Sequence, residues 1–208
     1  MPGPSSADLP IGLLDERHDR GDFTCGVESL DRYLKTQAGQ DVRRKANAVF
    51  ALSEVGEPAR VRGCYTLCAM ALSQGDVLEA ARKFIPRYPL VSATLFGRLA
   101  VATARQGERP GAVLLADALR RAFDSAGTVG SSMVVVDALD EAVAGFHAAH
   151  RFVRLPDPLR LVLPMRLAAV GAERSECLGF GEPVSCRANS ADPVRRVHRV
   201  PSKAAWVL

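Results

Sequence analysis

An α/β fold built on a mixed central sheet flanked by helices is predicted by three observations. Two early strand patterns are joined by Gly56-Glu57-Pro58, a connection too short for a parallel crossover, so they pair antiparallel. Residues 132–136 form a nearly continuous β-branched apolar run, suited to a central strand covered on both faces. Between them, an apolar strand pattern passes through a glycine-bearing turn into a long amphipathic helix.

The elements follow in order. The start, MPGPSSADLP over residues 1–10, reads as flexible. Residues 28–40 read as a helix, because Leu30, Leu34 and Ala38 recur at four-residue spacing, with Tyr33 and Gln37 beside them. Thr24-Cys25-Gly26 is the turn that leads in. Residues 48–53 and 61–67 read as the hairpin strands, with GCYTLCAMAL a strand followed by a turn. Residues 77–84 read as a short helix, after which Pro86 and Pro89 impose extended geometry around Tyr88. Residues 95–101 read as a buried strand. Residues 111–125 form the clearest helix, with Leu115, Leu119 and Phe123 in one stripe and Gly127 as its stop. Residues 137–149 read as a helix with Asp137, Asp140 and Glu141 at its positive end. Residues 152–155 and 159–165 read as closing strands around Pro156-Asp157-Pro158.

The 208 residues are 48% hydrophobic, enough for one sizeable core, which is placed in a domain spanning residues 11–167. Apolar periodicity fades beyond it, and residues 168–208, rich in Gly, Ser, Pro and Arg, are expected to be a poorly ordered tail. That tail reads either as a basic arm for RNA or as an extension without function. No run of eighteen apolar residues exists, so no membrane partner or span is expected. No basic, apolar leader is visible, so the default location is cytoplasmic. The five cysteines (Cys25, Cys64, Cys68, Cys177 and Cys186) are odd in number and argue against a disulfide framework. Cys64 and Cys68 lack a neighbouring histidine and read as core residues rather than metal ligands or nucleophiles. The net charge of +4 permits an anionic partner, nucleic acid included, without showing one.

The turn Gln106-Gly107-Glu108-Arg109-Pro110-Gly111 carries the chemistry. Backbone N–H groups of a glycine turn and of a helix N-terminus converge on phosphate oxygens. Arg109 and Pro110 in its middle depart from the ideal. Proline has no N–H to donate, and a glycine-only backbone conformation is costly for arginine.

Five ordered segments over residues 11–167 give a family likeness. They are Phe23-Thr24-Cys25-Gly26 with Leu30-Asp31-Arg32-Tyr33-Leu34, and Gly63-Cys64-Tyr65-Thr66-Leu67. Tyr88-Pro89 with Leu95-Phe96-Gly97-Arg98-Leu99-Ala100-Val101 follow, then the glycine turn, then Val136-Asp137-Ala138. The series resembles the GCN5-related N-acetyltransferases (GNAT), and more closely the branch serving as toxins in bacterial toxin–antitoxin pairs.

The resemblance implies a GNAT fold with an acyl-CoA site at splayed central strands. It implies that Leu99, Ala100 and Val101 pair with the pantetheine arm of acetyl-CoA, and that Gln106, Gly107, Glu108, Arg109, Gly111 and Ala112 hold its pyrophosphate. It implies acetyl transfer to the α-amino group of an aminoacyl-tRNA, with Arg43, Arg44, Arg87 and Arg98 as acceptor contacts and Lys45, Arg82 and Lys83 beside them. It implies a ribbon-helix-helix antitoxin as partner and a homodimer. Where the family carries a catalytic tyrosine and then a glycine, Phe146-His147-Ala148-Ala149-His150-Arg151-Phe152 has His147 and Arg151. A histidinium is a competent proton donor, which makes His147 the candidate acid and His150 a weaker one. The Asp that often follows Val101 in the branch is Ala102 here. Two other readings stay open: a GNAT acting on a small or protein amine, and a degenerate GNAT that only binds a partner.

Overall fold

The computed structural model describes residues 9–76 and 87–166. The expected helix over 77–84, Arg82 and Lys83, Cys177 and Cys186, and the tail lie outside the described residues. Seven strands form one sheet: β1 (Ile11–Leu13), β2 (Ala48–Leu52), β3 (Gly63–Ser73), β4 (Leu90–Val101), β5 (Met133–Asp137), β6 (Val153–Arg154) and β7 (Arg160–Pro164), in the order β1-β2-β3-β4-β5-β7-β6. Every pairing is antiparallel except β4 with β5. The helices are α1 (Glu28–Arg32), a π-helical segment (Tyr33–Gln37), α2 (Ala38–Arg44), α3 (Pro110–Val129) and α4 (Glu141–Ala149).

Both faces of the sheet's centre are covered, which is why residues 49–52, 99–101 and 133–136 are continuous buried apolar runs. One face packs Phe50, Leu52, Tyr65, Leu99 and Val134 against Leu114, Leu115 and Ala118 of α3 and Val143 and Ala144 of α4. The other packs Val49, Ala51, Cys64 and Ala100 against Leu30, Tyr33, Leu34 and Ala38. Burying a leucine completely contributes about 1.5–3 kcal/mol, so Leu114 and Leu115 anchor α3. α3 comes close to β3 only because Gly63 has no side chain. A Cβ there would stand 2.9 Å from Leu114 Cδ1 and 3.1 Å from the Ala100 carbonyl.

Among the described residues the predicted elements appear, with shifted ends. The first helix continues past residue 40 to Arg44 and contains a π segment, ending where Lys45 turns left-handed at φ 56°. The long hairpin of β3 and β4 replaces the expected turn after Cys68 and the late start at Leu95. Its outer half hides in the sequence because Leu72, Val91 and Ala93 are buried while the small Ala71 and Ser92 between them are exposed. α3 runs through Gly127 and stops at Gly130, whose φ of 75° suits glycine. α4 begins at Glu141 rather than 137, because Asp137 belongs to β5 and pairs with Arg160. Asp140 is its N-cap, accepting the Val143 N–H at 2.9 Å. Among the described residues no helix is long and apolar enough to cross a membrane.

Candidate active site

The sheet opens where β4 leaves β5. The two strands pair only from Ala93 with Met133 to Leu95 with Val135, while β4 stays on β3 as far as Val101. One edge of β4 beyond Leu95 therefore has no strand beside it. Ala102 donates its N–H to the Arg62 carbonyl on the β3 side at 2.8 Å, so alternation aims the Val101 N–H at the open edge. The Val101 carbonyl points the same way, accepting from the Gln106 amide at 3.1 Å. The two-residue period puts Leu99 on that edge as well and turns Ala100 toward β3.

A bulge re-aims this edge. The register with β3 slips between Cys64 and Thr66, which face Ala100 and Gly97, so β4 carries one extra residue. Arg98 sits there with φ 48°. Its guanidinium lies 4.1 Å from the centre of the Tyr33 ring, a stacked cation. The Tyr33 hydroxyl in turn donates to Asp41 at 2.8 Å. The sequence does not single out Asp41. It places Tyr33 beside the stripe of Leu30, Leu34 and Ala38 and in a family segment, which gives no sign of a cation stacked on its ring.

β4 leads through a 3-10 turn (Thr103–Arg105) into the glycine turn and α3. Gly107 has φ 90°, and Arg109 takes the left-handed conformation, φ 68° and ψ 20°, as N-cap of α3. The expected obstacle is thus accommodated: arginine adopts the backbone that glycine would supply, at a cost of about 1–2 kcal/mol. Pro110 occupies the first helical position, where its missing N–H is one of the helix's unpaired donors in any case and its fixed φ suits the helix. Among the described residues, no hydrogen bond uses the N–H groups of Gly107, Glu108, Arg109 or Gly111. The Ala112 N–H is turned back onto the Arg109 carbonyl at 3.1 Å. Glu108, whose negative charge would oppose a phosphate, is paired with Arg105 at 3.1 Å. The Gln106 side chain is spent inside the protein, on the Cys25 carbonyl at 2.9 Å and on Val101.

His147 corrects an expectation. It is 1% exposed on the inner side of α4, with ring centres 5.8 Å from Phe96, 5.2 Å from Phe146 and 5.2 Å from Phe152. Burial, with a lesser contribution from the charge on His150, pushes its pKa down from 6.5 to about 3. That environment favours the neutral imidazole over a histidinium. His150 does not share its face: it is exposed at the end of α4 with Nδ1 on the Phe146 carbonyl at 2.9 Å. Arg151, like Arg109, holds a glycine-type backbone, at φ 71°.

The acceptor arginines are not gathered into one group. Arg43 and Arg44 are exposed at the end of α2 with Lys45. Arg20 joins them: a Cβ on Gly39 would meet its Nη1 at 3.2 Å and that of Arg43 at 3.6 Å. Arg87 is exposed before the far end of β4, and the eight-residue step from Leu90 to Arg98 alone spans about 26 Å. The buried thiols are unsuited to nucleophilic attack, since burial pushes Cys25 up to about 12 and Cys64 higher still.

No family model matches the chain. It is 30% identical over 154 residues, 74% of its length, to a tRNA-acetylating toxin from Mycobacterium tuberculosis, covering 90% of that protein. Among solved structures, AtaT complexed with acetyl-methionyl-tRNAfMet superposes with TM-score 0.72 at 28% identity, over 78% of this chain and 98% of that one. A variant AtaT toxin bound to the C-terminus of the antitoxin AtaR and acetyl-CoA superposes with TM-score 0.66 at 27% identity, over 78% and 97%. The parted strands, the bulged β4 and the glycine turn at α3 are the parts a GNAT site needs, and with this degree of relationship the chain belongs to the GNAT-fold toxins that acetylate aminoacyl-tRNA.

Proposed function

We propose that the protein is a translation-blocking toxin that transfers the acetyl group of acetyl-CoA to the α-amino group of an aminoacyl-tRNA. The observation that carries this reading is the continuity of the bulged, open edge of β4 with a turn whose N–H groups are unspent. The N–H groups of Gly107, Glu108, Arg109 and Gly111 fit a pyrophosphate at the positive end of α3, and the Arg109 guanidinium adds a charge there. Acetyl-CoA supplies an activated acyl thioester.

The edge N–H groups of Leu99 and Val101 align the pantetheine arm, and the backbone at the bulge polarises the thioester carbonyl. Arg98, steadied on Tyr33, meets the anionic acceptor beside the bulge. Arg43 and Arg44 extend the cationic surface toward the RNA backbone, whose phosphates they attract. The neutral amine attacks, and the proton it loses balances the one that the leaving sulfur gains. His147, packed against Phe96 in the core, is given no part in moving that proton. An antitoxin is the expected protein partner, as in the AtaT–AtaR complex. We place it in the ribbon-helix-helix class and assign the toxin a homodimeric state.

The test is calorimetric titration of the protein, freed of bound CoA, with acetyl-CoA, followed by turnover on a charged tRNA pool. Micromolar binding and acetylation of the amino acid are expected. Folded protein that binds nothing up to about millimolar acetyl-CoA, some 4 kcal/mol of affinity, overturns the reading.

A further inference from the structure

Gln106 begins the glycine turn, yet its side chain serves two other segments. Its amide nitrogen donates to the Val101 carbonyl at the end of β4 and to the Cys25 carbonyl in the loop ahead of α1. That loop meets the same region again through the Thr103 N–H, which donates to the Thr24 carbonyl at 2.8 Å. Gly26 shapes that loop through its φ of 87°, a backbone that favours glycine. On the far side, Asp31 of α1 accepts the Thr24 hydroxyl at 2.9 Å and the Cys25 N–H at 2.8 Å. Two residues further on, the Tyr33 ring carries Arg98. A continuous strap thus runs from the phosphate turn to the support of the acceptor-side arginine.

We infer that Gln106 is a positioning residue that couples the donor side of the site to the acceptor side. This rests on the acetyltransferase reading and goes beyond it. A pyrophosphate seated on the turn orders Gly107 to Gly111, and Gln106 passes that order to Cys25, Asp31 and Tyr33. The free energy of ordering the acceptor side is then met in part when the donor binds, so the two ligands bind with positive coupling. The coupled element has a reason to yield: Tyr33–Gln37 is a π-helical segment, which departs from regular helix geometry two residues after Asp31.

The experiment uses the full chain, CoA as a donor mimic that cannot turn over, and a charged tRNA pool. Binding of the tRNA is measured with and without saturating CoA, alongside the Kd for CoA and the KM and kcat for acetyl transfer. Wild type is expected to bind charged tRNA about fivefold or more tightly when CoA is present. Gln106→Met keeps the length of the side chain and removes both donors. It should bring that ratio close to one and raise the acceptor KM, while the Kd for CoA moves less than about threefold. Asp31→Ala breaks the strap at its other end and should do the same, and the double variant should be little worse than either. If Gln106→Met does not fold, Thr24→Val, which spares every backbone bond, carries the comparison. A Gln106→Met protein that loses CoA affinity but keeps the coupling overturns the inference, as do losses in kcat/KM that multiply in the double variant. Wild type that binds no CoA overturns the acetyltransferase reading and this inference with it, whereas wild type that binds CoA without tightening tRNA overturns this inference alone.

Discussion

The Arg98 guanidinium stacks 4.1 Å from the centre of the Tyr33 ring, across the gap between a strand bulge and the helical layer below it. The contact exists because Arg98 is the extra residue of β4 and takes φ 48°. Charge and backbone strain meet in one residue, and substitution separates them. Arg98→Gly should leave the melting temperature unchanged or raise it, because glycine meets no penalty at positive φ. The same variant should lower kcat/KM for charged tRNA by about tenfold or more, the loss of a charge-assisted contact of about 1.5 kcal/mol. Arg98→Lys should recover part of the activity without the planar stack. An unchanged kcat/KM in Arg98→Gly would remove Arg98 from the acceptor site.

Arg109 and Arg151 hold the same left-handed backbone, at φ 68° and 71°, but only Arg109 lies in the glycine turn. Each should gain about 1 kcal/mol of stability on replacement by glycine, less the entropy that glycine returns to the unfolded chain. Denaturant titration reads this. The two should differ in calorimetry: Arg109→Gly weakens acetyl-CoA binding several-fold and flattens its salt dependence, and Arg151→Gly leaves it alone. Equal affinity in both would assign Arg109 to the turn's shape only.

His147 makes a pH prediction whose sign follows from its lowered pKa. The unfolded chain takes up a proton near 6.5, while the buried imidazole resists until about 3. Its burial therefore carries no ionisation penalty above that window, and stability falls with pH inside it, by up to about 1.4 kcal/mol per unit. His147→Leu should flatten that loss between pH 6 and 4 (about two units of the window) in thermal melts. Activity offers a separate check. A general acid contributes at least about a hundredfold, so retention of kcat within a few-fold in His147→Leu confirms a packing role, and a hundredfold loss refutes it.

Gly63 tests the seat of α3. An added methyl would lie 2.9 Å from Leu114 Cδ1, with the Ala100 carbonyl 3.1 Å away on the β4 side. Gly63→Ala is expected to cost about 1–3 kcal/mol through overpacking and to lower acetyl-CoA affinity, because the displaced helix carries the turn. Gly127→Ala, where a Cβ meets nothing within 4 Å, is the control and should stabilise α3.

Much of the fold was legible because burial on both faces writes itself into composition. The run around Val134 and Val135 could serve little else. The stripe Leu115, Leu119, Phe123 marks the helix but not its buried face, since Phe123 is exposed and Leu114, Leu115, Ala118 and Ala122 make the core contact. The outer hairpin was not legible, since Ala71 and Ser92 are small residues that signal neither strand nor turn. Nor was the start of α4. Three acidic residues all suit a helix N-terminus, and only the ladder from Asp137 to Arg160 shows which of them belongs to a strand.

The site divides along the same line. Local order in the chain determined the strand, the glycine turn and the helix that follows, because the turn's N–H groups are contiguous and their geometry follows from neighbouring dihedrals. Tertiary structure decided what the side chains do. It withdrew Gln106 into a strap, packed His147 among three aromatic rings, set Arg98 on Tyr33, and gave Arg109 a backbone that sequence rules reserve for glycine. Burial and partners from distant segments set the charge, reach and direction of a side chain, and no local pattern records either.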